Sequence, residues 1–361
     1  MPPIIWNKTT ELIGITLHLR PHQTSPLYPQ YTIGLHAWFL DQVSQTNPSL
    51  SATLHDDQTE KSFTLSPLQG NLLTHSQHLQ LQADQTYYFT ITTLSQPIAQ
   101  WLAQWVKILP PTLDLRNAPL HITHAEITLP PTTYKKLWQP ASTPEQKATL
   151  SFITPTSFRR RGQHFPLPLP FNVFHSYLRR WNTFAHLEFD PDEFLAWVDD
   201  SILIHRHRLE STKVVVGKKG SVTAFTGVVE YGISPKAPRD EEYEQLFAAL
   251  IQLAPYCGTG HKTTFGLGQT RLGWLDTTAP ELPSTQTLTT ERIAELTDIF
   301  IAQRKRKGGD RATQTAETWA TILARRELGE SLMAIAADLE MPYETVKTYA
   351  KLARQALKLI N

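Results

Sequence analysis

The order of hydrophobic patterns along the first 274 residues constrains the fold of this chain more than any other feature of its sequence. Apolar residues alternate in some segments, as in half-buried strands, and recur every three to four positions in others, as in amphipathic helices. Taken in order, these periods predict strand, helix, strand, strand, helix and strand. The predicted segments are Leu12–Leu19, Tyr31–Val43, Leu50–Leu54, Tyr87–Leu94, Ile98–Leu109 and Leu120–Leu129.

The same order returns in the next part of the chain, with one additional helix. The segments predicted there are Ala148–Thr154, Pro170–Phe184, Asp190–Asp200, Leu203–Val216, Val222–Ile233, Asp240–Ala254 and Gln269–Trp274. A β-α-β-β-α-β order is typical of the ferredoxin-like unit. The sequence therefore predicts an α+β protein with two tandem ferredoxin-like (RRM-like) domains, at residues 1–130 and 131–278.

The remainder of the chain has a different pattern. Residues 276–290 have the Thr-, Pro- and Ser-rich composition of a linker, which we set at residues 279–290. Beyond it only helical periods follow, so we predict a small all-α domain at residues 291–361. Its predicted helices are Glu291–Lys305, Thr313–Glu327, Ser331–Leu339 and Tyr343–Leu359.

Composition excludes several classes of protein. Hydrophobic residues make up 40% of the chain, which is enough for packed cores. No apolar run approaches the ~20 residues of a membrane-spanning helix, and no secretory signal is visible, so we expect a cytoplasmic protein without membrane contact. The single cysteine, Cys257, excludes an internal disulfide and a cysteine-based zinc site. We expect neither a metal nor a cofactor.

Basic residues are concentrated in the central third of the chain, although the net charge is only +1. Each run taken alone is typical of a solvated surface. Together with His261 and Lys262 they predict a basic face for a nucleic-acid backbone. The runs are Arg159–Arg161, Arg179–Arg180, His205–Arg208, Lys213 and Lys218–Lys219.

The most specific segment is the glycine-rich run from residue 258 to residue 268. Its glycines would let backbone N–H groups approach a phosphate, and His261 and Lys262 would supply positive charge. The spacing fits neither a Walker A loop nor a dinucleotide fingerprint. We predict a phosphate-binding loop, with a tight connection that binds nothing as the alternative. The glycines are Gly258, Gly260, Gly266 and Gly268.

This run, Cys257–Arg271, resembles the glycine-rich signature of the CRISPR-associated repeat-processing endoribonucleases of the RAMP superfamily. Segments elsewhere resemble the same family: Leu35–Leu40, Phe63–Pro67, Phe152–Phe158, Pro168–Phe174, Arg180–Asn182 and Ala224–Gly227. The resemblance implies two ferredoxin-like domains and metal-independent cleavage of CRISPR repeats in precursor RNA. Attack by the 2′-OH would leave a 2′,3′-cyclic phosphate and a 5′-OH. Repeat RNA would be the substrate, and an effector complex a further partner.

His36 is the first catalytic candidate, because imidazole serves as acid or base near neutral pH and the family commonly has its catalytic histidine on the first helix. An ordinary helix histidine is the alternative. Weaker catalytic candidates are Tyr28, Tyr31, Arg20 and His55. The RNA-binding candidates are the four glycines with His261, Lys262, Arg159, Arg160 and Arg161. The family often has Arg or Lys in place of His261, so this histidine either binds phosphate or joins the chemistry.

Residues 331–357 resemble a helix-turn-helix of the sigma-factor region-four type. The second helix of such a motif enters the DNA major groove, led by its N-terminal residues. DNA binding and protein docking are equal alternatives for this tail. It also leaves open another function for the whole chain, a non-cleaving repeat-RNA-binding subunit or regulator. The exposed reading positions would be Glu344, Thr345, Lys347 and Thr348.

Overall fold

The structure is a computed structural model that describes residues 5–28, 30–55, 60–75, 78–116, 118–139, 147–215, 221–275, 285–302, 310–327 and 330–358. They belong to two compact units. The larger unit contains Met1–Leu72, Gln80–Thr212 and Thr223–Leu282, and the smaller unit contains Leu73–Leu79, Lys213–Val222 and Pro283–Asn361. No helix in these described ranges is both long and apolar enough to cross a membrane.

The helices and strands are as follows, in chain order. They are β1 (Leu12–Pro21), β2 (Ser25–Leu27), α1 (Tyr31–Thr46), α2 (Pro48–His55), β3 (Phe63–Leu65), β4 (Leu73–His75), β5 (His78–Leu81), β6 (Tyr87–Leu94), α3 (Gln96–Trp105), β7 (Thr112–Leu115), β8 (Ala118–Thr132), α4 (Tyr134–Leu137), β9 (Lys147–Thr156), β10 (Phe158–Arg160), β11 (Gln163–Phe165), α5 (Pro170–Phe184), α6 (Pro191–Ser201), β12 (Ile202–Val215), β13 (Ser221–Ile233), α7 (Glu241–Cys257), β14 (Thr270–Leu272), α8 (Thr285–Ala302), α9 (Asp310–Glu327), α10 (Leu332–Asp338) and α11 (Tyr343–Lys358).

Two sheets organise the larger unit. The first has the order β3-β6-β1-β8-β7, and the second has the order β12-β13-β9-β14. Leaving out the edge strand β7, each sheet places its strands in the sequence second, third, first, fourth. The repeated β-α-β-β-α-β order predicted from hydrophobic periods therefore reappears as two sheets of equivalent strand order.

The two halves of the larger unit share one hydrophobic core. Leu12, Leu94 and Tyr134 of the N-terminal half belong to the same buried cluster as Leu150 and Trp181 of the C-terminal half. Hydrogen bonds between the two halves add to this shared core. The Thr92 hydroxyl donates to the Tyr256 carbonyl (2.6 Å), and the Tyr256 hydroxyl donates to the Pro130 carbonyl (2.8 Å).

The prediction of a strand at Leu50–Leu54 is wrong, because this segment lies inside α2. The Asn-Pro pair that suggested the end of a helix begins a new one. Asn47 Oδ1 accepts a hydrogen bond from the N–H of Leu50, and Pro48 occupies the first helical position, where its missing N–H matters least. The second strand of the first sheet is instead β3.

Two further features differ from the predictions. Helix α8 begins at Thr285, so the last six residues of the predicted linker are helical; residues 276–284 lie outside the described ranges. The short strands β2, β4, β5, β7, β10 and β11 were not predicted, since three or four residues are too few to show a period.

Candidate functional site

Arg180, a buried residue of α5, holds the glycine-rich segment in place. This side chain is 4% exposed, and its guanidinium donates to the carbonyl and hydroxyl of Ser176 and to the carbonyl of Gly260 (2.8, 2.7 and 2.8 Å). The Ser176 hydroxyl accepts in turn from the N–H of Gly260 at 2.8 Å. Arg180 therefore anchors the loop and contributes nothing to a basic surface, contrary to the prediction for the Arg179–Arg180 pair.

Two of the glycines are required by close packing of backbone on backbone. Gly260 (φ 79°) would place a Cβ atom 2.3 Å from the carbonyl oxygen of Ser157, and Gly268 (φ 71°) would place one 2.0 Å from that of Thr259. Both also adopt left-handed backbone conformations that L-residues rarely occupy. At these positions the glycines serve packing inside the protein.

The N–H groups of the loop are largely used inside the protein. Those of Thr259, His261 and Gly268 donate to the carbonyls of Gly268, Ser157 and Pro155 (2.7, 3.1 and 3.1 Å). With the Gly260 N–H on Ser176, these donors have acceptors already. A cradle of free backbone N–H groups, as expected from the glycines, is therefore not what this part of the loop presents.

The loop instead contributes His261 and Lys262 to a group of positively charged or titratable side chains, whose other members are Arg159 of β10 and His164 of β11. We call Arg159, His164, His261 and Lys262 the basic cluster. His261 and His164 stack with ring centroids 5.2 Å apart. The Nδ1 atom of His261 donates to the Ser157 carbonyl (2.8 Å). Within the described ranges the buried Nε2 atom of His261 has no hydrogen-bond partner. Lys262 is half-buried, with a left-handed backbone (φ 60°).

Electrostatics in the basic cluster disfavour added protons. Burial lowers the pKa of His261 to about 4; the hydrogen bond to Ser157 opposes this shift, while His164, Lys262 and Arg159 reinforce it. Burial, with Arg159 and Lys262, likewise lowers the pKa of His164. Burial and Arg159 lower the pKa of Lys262. An anion placed here would relieve this mutual repulsion.

The three consecutive arginines lie on the hairpin of β10 and β11. Arg159, Arg160 and Arg161 are all exposed, and Arg159 stands opposite His164. Arg161 and Gly162 both have positive φ (49° and 80°), as in a two-residue type I′ turn. The hairpin therefore holds its arginines toward solvent, with Arg159 joining the basic cluster.

His36 lies next to the glycine-rich segment. Its ring stacks on that of Phe265 with 4.3 Å between centroids and 19° between planes, and the Phe63 ring lies 6.2 Å away. Phe265 closes a short 3-10 turn, Thr263–Phe265, directly after Lys262. The structure thus brings together the first catalytic candidate and the loop that carries the binding candidates.

The weaker catalytic candidates lie in different environments. Tyr31 is 2% exposed, and burial raises the pKa of its hydroxyl. Tyr28 is partly exposed, donates to Gln30 Oε1 (3.1 Å) and lies under the Arg116 guanidinium. Arg20 is exposed and donates to the Thr86 hydroxyl (3.2 Å). His55 is the last residue of α2, and its side chain lies outside the described part of the structure.

Arg20 is also distant from His36 along the sheet. Phe63, beside His36, pairs with Thr93, which pairs with Ile13 near the start of β1. Arg20 follows Ile13 by seven residues of extended strand, roughly 23 Å. The structure does not bring these two candidates together.

The other predicted basic runs contribute unequally to a charged face. Arg179 pairs with Glu60 at 2.6 Å. His205, Arg206, His207 and Arg208 are exposed on β12, where Arg206 covers the Trp274 ring at 3.8 Å. Lys213 is exposed in the smaller unit, and Lys218–Lys219 lie outside the described residues.

One group among the described residues has the composition of a metal site. Ligand atoms of His18, His124 and Glu126 lie within 4.8 Å of one another on β1 and β8. The two imidazoles are stacked, however, at 3.8 Å between centroids and 28° between planes. A metal ion lies in the plane of an imidazole that binds it, so both rings would have to rotate to share one ion. His18 Nε2 instead faces Glu126 Oε1 at 3.0 Å.

The candidate reading positions of the smaller unit lie at the start of α11. Glu344, Lys347 and Thr348 are exposed and Thr345 is half-buried. Glu344 and Lys347 form an ion pair at 3.3 Å. The Thr348 hydroxyl donates to the carbonyl of Glu344 (2.8 Å).

Several residues that build the site were not predicted in these roles. Arg180, predicted as part of a basic face, holds the loop together with Ser176. His164 stacks on His261, and Phe265 stacks on His36. Asn182, noted only within a segment that resembles the family, fixes the chain after α5, because its side chain bonds both the N–H and the carbonyl of Phe189 (3.1 and 2.8 Å).

Comparison with known proteins follows the same two halves. Residues 14–144 match the family model of the CRISPR Cas6 N-terminal domain. Residues 150–270 match that of the CRISPR-associated endoribonuclease Cas6, and together the two matches cover well over half of the chain. The chain belongs to the Cas6 family. Both matches end before the helices α8 to α11.

Individual members of the Cas6 family agree with this assignment. A Cas6 endoribonuclease of Mycobacterium tuberculosis is 25% identical over 127 residues, which are 35% of this chain and 39% of that relative, so the alignment spans less than half of the relative. A product complex of Thermus thermophilus Cas6 is 25% identical with a TM-score of 0.61. A Cas6 substrate mimic complex is 24% identical with a TM-score of 0.56. Each of these two structures covers 73% of this chain and is itself covered completely.

Proposed function

We propose that this Cas6 protein is a metal-independent endoribonuclease that binds CRISPR repeats in precursor RNA and cuts them to produce guide RNAs. The observation that carries the proposal is the stacking of His36 on Phe265 at 4.3 Å, because Phe265 closes the short turn that follows Lys262. This contact puts an imidazole against the segment that carries the basic residues of the loop, on the scaffold of a ribonuclease family. The family model that matches residues 150–270 is that of an endoribonuclease, which supports RNA as the ligand class.

The chemistry uses the nucleophile that RNA itself carries. The 2′-oxygen attacks the adjacent phosphorus, its proton passes to a base, and the departing 5′-oxygen takes a proton from an acid. The products are a 2′,3′-cyclic phosphate and a 5′-OH. Imidazole suits either proton transfer near neutral pH, and nearby cations stabilise the charge that develops on the phosphorane.

His36 is the proton-transfer group in this proposal. Tyr28 and Tyr31 precede His36 on the chain. The burial of Tyr31 keeps its hydroxyl protonated, so it would act as a donor only after a rearrangement that exposes it.

Arg159, His164, His261 and Lys262 hold the phosphate in this proposal. Burial, reinforced by the neighbouring positive charges, lowers the pKa values of the two histidines, and a bound phosphate would offset the repulsion between these charges. RNA binding is then accompanied by proton uptake, so affinity decreases as the pH rises. Arg160 and Arg161 extend the contact along the backbone, and the four glycines shape the loop.

The test is cleavage of repeat RNA in EDTA by the full chain and by His36→Ala. We expect the cleavage rate constant to fall about 10²–10⁴-fold, the usual contribution of a general acid or base. RNA affinity should change less than about twofold. His22→Ala, which changes an exposed histidine just after β1, is the matched control and should cleave normally. Mass spectrometry of the fragment should show the cyclic phosphate.

Two outcomes would overturn parts of this proposal. Equal cleavage by His36→Ala would transfer the catalytic role to another histidine, with His261 and His55 next. Binding without cleavage by the wild-type chain, across several native repeats, would favour a non-cleaving RNA-binding subunit or regulator. Retention of the cut RNA would favour a place in an effector complex.

The architecture belongs to the same proposal. We assign the two sheets, with their equivalent strand orders, to two ferredoxin-like domains, and α10 with α11 to a helix-turn-helix. The boundary between the two ferredoxin-like domains would fall between residue 130, where the predicted domains meet, and Lys147, where β9 begins. The protein would act in the cytoplasm, where the precursor RNA is made.

A further inference from the structure

The smaller unit contains two helices joined by a short, well-defined turn. Ser331 caps α10 by accepting from the N–H of Ala334 (3.1 Å). After α10 the chain turns through Glu340, which has a left-handed backbone (φ 52°), and the N–H of Met341 donates to the carbonyl of Ala336 (3.0 Å). Pro342 then precedes the first residue of α11. The two helices are therefore held at a fixed angle.

A small core fixes which face of α11 points outward. Val346 and Ala350 of α11 are buried against Ile335 and Ala336 of α10 and against Ile322 of α9. Ala353 is buried in a second cluster, with residues of α8 and α9. These contacts leave the opposite face of α11 in solvent.

That opposite face carries a stripe of cations. Lys347, Lys351 and Arg354 are all exposed and lie four and three positions apart, the spacing that aligns side chains on one face of a helix. We call these three residues the α11 stripe. Seven residues of helix separate its ends, about 10 Å. Lys358 continues the same spacing in the sequence.

Two cations of the stripe, Lys351 and Arg354, differ from Arg292 and Arg325, two described arginines of the same unit. Arg292 pairs with Glu327 and Glu295, and Arg325 pairs with Glu330 and Asp338. Among the described residues no carboxylate lies within 4.0 Å of the charged groups of Lys351 or Arg354, while Lys347 pairs with Glu344. Two adjacent positive charges thus remain for a ligand.

We propose that the α11 stripe binds duplex DNA, with α11 in the major groove. The B-DNA major groove is about 12 Å wide and admits an α-helix, whereas the major groove of A-form RNA is deep and too narrow. Lys351 and Arg354 would contact phosphates. Glu344, Thr345 and Thr348, near the start of the helix, would face base edges. This function is separate from RNA cleavage in the larger unit.

Protein docking is the competing use of this face, and the charges argue against it. Protein interfaces are depleted in lysine relative to the rest of the surface and have an apolar centre. The α11 stripe has three cations, and the exposed apolar residues nearby do not form one patch. Met333 lies on α10, and Tyr343 and Leu352 are nine positions apart, which puts them on opposite sides of α11. The charges on this face of α11 therefore favour duplex DNA over a protein as its ligand.

The experiment measures binding of the full chain to a fluorescent DNA duplex of roughly 20–30 base pairs, a length that covers more than one helical turn, over a range of salt concentrations. Two changes, Lys351→Gln and Arg354→Gln, are combined in one variant. Each lost phosphate contact lowers the slope of log affinity against log salt by about 0.9, so the slope should fall by about 2. Repeat-RNA cleavage by this variant should remain at the wild-type rate.

A matched control removes the same charge elsewhere. Lys135→Gln with Lys136→Gln, both exposed on α4, changes the net charge equally and should leave the salt slope unchanged. A second variant reverses the sign of the effect. Glu344→Gln removes a negative charge beside Lys347, so DNA affinity should rise about two- to fivefold, a gain that damage to the fold would not produce.

Three results would overturn the proposal. These are an unchanged salt slope for duplex DNA in the stripe variant, an equal loss in the α4 control, and a salt slope for duplex RNA that falls in the stripe variant as much as the slope for duplex DNA. Loss of repeat-RNA cleavage with intact DNA binding would instead contradict only the proposed ribonuclease function. The two proposals therefore fail separately.

Discussion

The glycine-rich loop and the arginine hairpin lie side by side in the basic cluster, yet they are built in opposite ways. The loop is buried, and its N–H groups and Gly260 carbonyl are occupied by Ser157, Ser176 and Arg180. The hairpin has two three-residue strands and an exposed turn at Arg161. The glycine-rich loop is held in place by hydrogen bonds inside the protein, whereas the hairpin exposes its arginines to solvent. Basic residues that look alike in the sequence therefore have different roles: Arg180 stabilises the loop, and Arg159, Arg160 and Arg161 are available to a ligand.

The largest expected effect on stability is a difference between two glycines, one in the loop and one in the hairpin, that both have a positive φ. Gly268→Ala places a Cβ atom 2.0 Å from a carbonyl oxygen, whereas Gly162→Ala, at the hairpin turn, meets no atom within 4 Å. Both variants carry the strain of a positive φ, about 1 kcal/mol. The clash should bring the loss at Gly268 to about 3–5 kcal/mol in the free energy of unfolding, measured by urea denaturation. Equal losses at the two sites would break the comparison.

The second effect concerns arginines in the two segments. Arg180→Ala leaves the Gly260 carbonyl and Ser176 hydroxyl without their buried donor and should lower the free energy of unfolding by about 2–4 kcal/mol. Arg159→Ala, with an exposed side chain, should change it by less than about 0.5 kcal/mol. Thermal unfolding of both variants measures the difference. A stable Arg180→Ala protein would show that the loop has another anchor.

The third effect is a pH dependence that belongs to the loop. The folded chain lowers the pKa of His261 to about 4, below the ordinary value of 6.5. Between these pH values the unfolded chain binds a proton that the folded chain does not, so the free energy of unfolding decreases as the pH falls. His261→Gln should remove part of that decrease. Urea denaturation from pH 7 to pH 4 measures it, with His205→Gln as control; identical curves for wild type and His261→Gln would contradict the burial of this imidazole.

The smallest effect on stability is expected in the hairpin, where binding should change instead. Arg160→Gln with Arg161→Gln should leave the unfolding free energy within about 0.5 kcal/mol of wild type. If both arginines contact phosphates of single-stranded RNA, the salt slope of RNA affinity should fall by about 1.4. Filter binding at several salt concentrations gives the slope. An unchanged slope would place the RNA elsewhere.

The sequence was informative where a hydrophobic period ran for about eight residues or more. Tyr87–Leu94 and Pro170–Phe184 have the same ends in the sequence prediction and in the structure. Asn47-Pro48 misled because the same pair ends one helix and begins the next. The three-residue strand β3 was lost because it is shorter than two full alternations.

The site was harder to predict, since its organisation depends on long-range contacts. His36 and Phe265 are 229 positions apart in the numbering, and no local pattern relates them. Glycine in the loop suggested approach to a ligand, although at Gly260 and Gly268 it permits approach of backbone to backbone. The glycines therefore indicated a close approach to the backbone, but they did not indicate whether a ligand or another backbone segment approaches.

The core shared by the two halves of the larger unit has a consequence for folding. Leu12, Leu94 and Tyr134 of the N-terminal half are buried with Leu150 and Trp181 of the C-terminal half, so neither half alone can cover its apolar surface. We expect the pair to melt in one cooperative transition rather than two. A chain cut between residues 139 and 147 should yield fragments that are each insoluble or partly folded, yet complement each other when mixed. The position of His36 against the loop would then be restored only on association.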